Sequence, residues 1–148
     1  MTKYIKILVL FLTLFACGQN GTEMKTPENV NEKFAEFIAK KKFVAENYYP
    51  GISDEKMRPI FTEKINSVAS DFKSVAESEN PTDKKYQEKI KIGLSRFADV
   101  YMELDTEDRE RVCTYFEELM DIIGLESSNG QLNKFMDGFD PNEITNKN

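Results

Sequence analysis

The stretch Asp105-Thr106-Glu107-Asp108-Arg109-Glu110-Arg111-Val112-Cys113-Thr114-Tyr115-Phe116-Glu117-Glu118-Leu119-Met120-Asp121-Ile122-Ile123-Gly124 decides the fold. Val112, Phe116, Leu119, Met120 and Ile123 recur at spacings of three and four. That period lines them along one helix face; a strand would alternate them. Asp105 or Thr106 supplies the cap, the acids that follow suit the positive end of the helix dipole, and Gly124 marks the stop.

Other segments repeat this pattern. Thr26-Pro27 reads as an N-cap with proline at the first helical position, and Val30, Phe34, Phe37, Ile38 and the stem of Lys41 predict a helix over 27–42. After a short turn at 54–58, Pro59 opens a second helix buried through Phe61, Ile65, Val68, Ala69, Phe72, Val75 and Ala76. Asn80-Pro81-Thr82-Asp83 reads as the next cap, and Tyr86, Ile90, Leu94, Phe97, Ala98 and Tyr101 carry a third helix to about 103. Gly93 inside that helix predicts a close helix crossing, since an interior glycine costs about 0.8–1.0 kcal/mol against alanine. A short fifth helix after Ser127 or Ser128 carries Leu132, Phe135, Met136 and Phe139, with Gly138 and Pro141 ending it. The expected fold is all-α: a single compact bundle of four helices plus a short C-terminal fifth.

A chain of 148 residues supports one domain. It contains no His, which excludes histidine general bases and histidine metal sites. Lys3 and Lys6, the apolar run Ile7–Ala16 and then Cys17 form a secretory signal too short to span a bilayer. Leu14-Phe15-Ala16-Cys17 resembles a bacterial lipobox, with Phe15 departing from the small residue usual there. The resemblance implies removal of the signal peptide 1–16, lipidation of Cys17 and a bacterial envelope address outside the cytoplasm. Residues 17–26 are then the lipidated cysteine and a flexible tether, 27–141 the helical domain and 142–148 a frayed tail. Without residues 1–16 the chain carries 18 basic and 26 acidic residues, net −8. Such acidity argues against nucleic acid as a partner and against charge-driven membrane binding.

Candidate chemistry is sparse. Ser53…Lys56 and Ser70…Lys73 match a Ser-x-x-Lys spacing, but no Lys-Thr-Gly accompanies them and the chain is too short for that enzyme class. Ser53 reads instead as a cap. Glu103, Asp105, Glu107, Asp108 and Glu110 invite calcium, yet Leu104 stands where a calcium loop needs glycine. Glu117 and Asp121, one helical turn apart, are the carboxylates on which a small hydrolase would depend. Arg109 and Arg111 are placed to pair with glutamates of their own helix. Cys113 reads as a small buried hydrophobe. No catalytic residue, metal or cofactor is therefore expected. Tyr48 and Tyr49, before Pro50-Gly51, are the candidate partner-binding residues, one ring packed on the bundle and the other exposed.

Asn47-Tyr48-Tyr49-Pro50-Gly51-Ile52, Ile92-Gly93-Leu94 with Phe97, and the long run from Leu104 to Ser128 resemble a family of small bacterial proteins known only as a domain of unknown function. The resemblance spans about Val30 to Pro141 and implies one helical domain with no catalytic residue to carry over. The expected function is a non-catalytic envelope lipoprotein held to the membrane by its N-terminal lipid and binding another protein, with an immunity protein as one concrete version. The alternative is the carboxylate hydrolase.

Overall fold

The computed structural model describes residues 21–138. Cys17, the signal 1–16, Phe139, Pro141 and the tail 142–148 lie outside the described residues. Within them run α1 (Val30–Ala39), α2 (Arg58–Ala76), α3 (Asp83–Ser95), α4 (Thr106–Ile123) and α5 (Gln131–Gly138). Two 3₁₀ turns, Glu55–Met57 and Ala98–Glu103, precede α2 and α4. Among the described residues the only extended pairings are isolated bridges, Glu23 with Thr82 and Glu46 with Tyr49. The domain is all-α.

The expected periodicities hold, while several boundaries move. Asp105 caps α4, its side chain accepting from the Asp108 amide. At the other end Gly124 sits at φ 71°, and the Leu125 amide reaches back to the Met120 carbonyl at 2.9 Å. Only glycine enters that left-handed turn without a side-chain penalty, so the helix stops there. The third helix is shorter than its pattern. Its cap is Thr82, whose hydroxyl accepts from the Lys85 amide, and regular α-helix ends at Ser95 before the tighter 3₁₀ turn. The first helix also shrinks, with Asn29 at its cap position and Lys40 already extended at ψ 130°. Lys41 is consequently exposed, and it is Lys42 that is buried.

Thr26 and Pro27 therefore lie before the helix and do not cap it. Thr26 Oγ1 donates to the Ala76 carbonyl at 3.3 Å, tying the start of the domain to the end of α2. Residues before it, expected as free tether, are docked as well. The Met24 amide donates to the Pro81 carbonyl (2.9 Å) and the Asp83 amide to the Thr22 carbonyl (3.0 Å). Paired amides at a helix start satisfy donors that the helix itself cannot.

α2 packs against α1, α3 and α4. At the crossing of α2, α3 and α4 a Cβ on Gly93 would fall 2.7 Å from Val68 Cγ2 and 2.9 Å from the Phe116 ring. The glycine therefore permits the close approach its interior position suggested. Phe34, Phe43, Phe61, Phe72, Phe97, Phe116 and Phe135 are all fully buried around this centre. Each such side chain contributes about 1.5–3 kcal/mol by leaving water.

Candidate functional site

The connection between α1 and α2 is long because its sequence breaks helical phase, and it lies as a strap along α4. Phe43 sits at φ 56°, an uncommon conformation for an aromatic residue. Three contacts hold it there. Its amide donates to Tyr115 Oη (2.8 Å), and its carbonyl accepts from the Ile52 amide and from Arg58 Nε (each 3.2 Å). Its ring packs edge-on against Phe61 and Tyr115. Burial of that ring offsets a backbone strain of about 1–3 kcal/mol.

Beyond Phe43 the chain folds into a tight turn. Glu46 and Tyr49 exchange backbone hydrogen bonds of 3.1 and 3.0 Å, with Asn47 at φ 54°. Asparagine tolerates that conformation better than most residues. The turn that parts the two tyrosine rings is thus Asn47-Tyr48, three positions earlier than Pro50-Gly51. Tyr48 stands at its tip, 104% exposed relative to a reference residue. Tyr49 turns inward, and its hydroxyl donates to Asp108 Oδ1 at 2.5 Å. One ring is packed and one is free, as the sequence suggests.

Asp108 is the hub beneath the strap. It is 0% exposed, and its second oxygen accepts from Ser53 Oγ at 3.0 Å. Ser53 is therefore a strap contact and not a cap; Asp54 caps the 3₁₀ turn, accepting from the Lys56 amide. One turn along α4, Arg111 pairs with Glu46 and stacks over the rings of Tyr49 (5.4 Å) and Tyr115 (4.8 Å). This corrects the expected pairing within α4, and Arg109 likewise lies over the Tyr101 ring at 4.4 Å. Lys40 closes the upper end, 3.3 Å from Glu118 and 3.8 Å from Glu46.

The electrostatics follow from these contacts. The Arg111 hydrogen bond, with Lys40 nearby, holds Glu46 below its ordinary carboxylate range. Burial first, then the Asp108 carboxylate, raises the Tyr49 phenol above its usual value, so it stays a donor. Lys42 is 1% exposed, and its ammonium donates to the Phe37 carbonyl at 2.6 Å and the Lys40 carbonyl at 3.0 Å. It caps the end of α1, and burial lowers its pKa to about 8.

The remaining candidates are structurally occupied or open. Ser70 Oγ donates to the Asn66 carbonyl and Lys73 lies near Glu77, so no serine–lysine pair forms there. Among the described residues no group of three or more His, Cys, Asp or Glu gathers for a metal. Glu117 and Asp121 are both exposed on α4, unlike the enclosed setting that prepares a carboxyl for acid catalysis. Cys113 is buried, its thiol pushed up to about 12 by burial and then by Glu117 and Glu110.

Sequence reasoning missed Tyr115 and Lys42, and it gave Asp108 and Arg111 other roles, as an acid at the helix start and as a partner for glutamates of its own helix. The signal was present in part, because 108, 111 and 115 share the spacing and face of Val112 and Phe116. Charged residues on that face read as solvent-facing unless the strap that covers them is known.

Taken together these features define a small all-α domain whose α4 is covered by a polar-stapled loop with one projecting aromatic. The chain belongs to the family described as Domain of unknown function (DUF4844), whose model matches residues 25–140. This bears out the resemblance read from the sequence. The chain is also similar to a DUF3571 family protein from Acinetobacter baumannii AYE, known from its crystal structure. The two are 33% identical with a TM-score of 0.68, covering 78% of this chain and 92% of that one. No curated protein matches the chain.

Proposed function

We propose that this protein is an envelope lipoprotein, anchored through Cys17 and lying outside the cytoplasm, whose domain is non-catalytic and binds another protein, in the manner of an immunity protein. The observation that carries the binding part is Tyr48, fully exposed at the tip of a turn whose base is stapled to α4. A large ring on a pre-ordered support gains contact area while losing little conformational freedom. Tyr49 acts as its support through Asp108. Exposed Glu107, Glu110, Glu117 and Asp121 on α4 favour a basic partner surface and disfavour nucleic acid. The anchor rests on Lys3, Lys6, the apolar run and the Ala16-Cys17 junction.

Two measurements test the reading. Cys17→Ser should abolish incorporation of labelled fatty acid and retention in the membrane fraction; undiminished labelling refutes the anchor. Full-length protein used as bait on envelope extracts should capture a partner, and Tyr48→Ala should weaken that complex by about 2 kcal/mol. Equal affinity of the variant in titration calorimetry places the interface elsewhere.

A further inference from the structure

Docking of the N-terminal arm changes what a lipid on Cys17 would do. The arm is joined to the corner between α2 and α3 by the Thr22–Asp83 and Met24–Pro81 backbone bonds and by Thr26 to Ala76. Met24 packs on the core, and Gly21 lies so close to the start of α3 that a Cβ there would collide with Asp83 Oδ1 and with Lys84 Cβ. Only Gly18, Gln19 and Asn20 separate this fixed point from Cys17. Four residue steps reach at most about 14 Å even when fully extended. The headgroup layer takes up roughly 5–7 Å of that, the difference between a bilayer with and without it, shared by two faces.

We infer that the α2–α3 corner, with its exposed Glu79 and Asn80, is held against the lipid headgroups, and that the Tyr48 turn is carried at the far end of the domain. The inference rests on the lipoprotein reading above. α1 and α2 fix the polarity: the arm meets Ala76 at the end of α2, whereas the strap meets Arg58 at its beginning. The intervening helix is 19 residues, about 28 Å long. A free tether from residue 18 to 26 would have imposed no such arrangement. The occupant of the corner is a lipid surface because the anchor's reach leaves little room for anything thicker. Acidic Glu77 and Glu79 and basic Lys84 and Lys85 are mixed there, so acyl chains and not charge supply the attachment.

The test uses the full chain, extracted with its lipid and placed in phosphatidylcholine vesicles carrying a headgroup nitroxide. A fluorophore is attached to Glu79→Cys or to Tyr48→Cys; the native Cys113 is buried and Cys17 is acylated. Quenching at position 79 should exceed that at position 48 by at least about threefold, given a reach comparable with the headgroup layer. Inserting a flexible spacer of about twelve residues between Asn20 and Gly21 should bring the two positions close to equality without altering the fold. Acylated, vesicle-bound protein with equal quenching at both positions overturns the orientation while leaving the anchor intact. Protein without acyl mass overturns both.

Discussion

The crossing of α2, α3 and α4 and the seam between the strap and α4, where Asp108 and Arg111 lie, are both buried, and they are held by opposite means. At the crossing Val68, Gly93 and Phe116 meet with no polar atom involved and no space for a Cβ. Under the strap, Asp108 collects two hydroxyls while Arg111 binds Glu46 between two tyrosine rings. The first contact is non-directional, and its strength scales with apolar area. The second depends on each donor finding its acceptor, so its strength is modest when complete and its loss is costly when one partner is removed.

Substitutions can separate the two. Phe116→Ala should have the largest effect, about 3–5 kcal/mol of lost stability in chemical denaturation followed by circular dichroism. Asp108→Ala should cost less, about 1–3 kcal/mol, because it strands the Tyr49 and Ser53 hydroxyls without opening a large cavity. If the two losses prove equal, the strap is as integral to the fold as the crossing, and the contrast fails.

Lys42 sharpens the comparison through pH. Its folded pKa of about 8 lies below its ordinary 10.5, so between those values the folded chain binds fewer protons than the unfolded one. Its contribution to stability therefore rises as pH rises from about 8 to 10.5. Tyr49, Tyr86 and Cys113, all shifted upward, act in the opposite sense at alkaline pH. The informative quantity is the difference from a variant: relative to wild type, Lys42→Met should lose the rising component across that window. Parallel stability curves would mean that Lys42 is not desolvated. The smallest effect belongs to Tyr48→Ala, which should move stability by no more than about 0.5 kcal/mol, as exposed substitutions do. A larger loss would show that Tyr48 packs on the domain and is not free for a partner.

The crossing was legible in the sequence because it obeys a repeating rule. Phe61, Ile65, Val68 and Phe72 on α2 and Val112, Phe116 and Leu119 on α4 declare their faces by spacing alone, and Gly93 declares the close approach. The strap was legible only as an interruption. Nothing local tells that Asp108, at the start of an acidic helix, lies beneath Tyr49 from 59 positions away. Dipole and capping arguments explain an acid there equally well in full exposure.

The same division runs through the whole chain. Period, capping residues and the glycine at position 124 determined an all-α domain and the buried faces of its helices, because helix formation and amphipathicity act within a few residues along the chain. Tertiary structure alone decided that Thr22 and Met24 dock on the α2–α3 corner, that Arg111 leaves its helical neighbours for Glu46, and that Lys42 rather than Lys41 is buried. Those choices depend on which distant donor or acceptor is brought within about 3 Å, and that distance is set by the packing of helices against each other, not by any residue's neighbours in sequence.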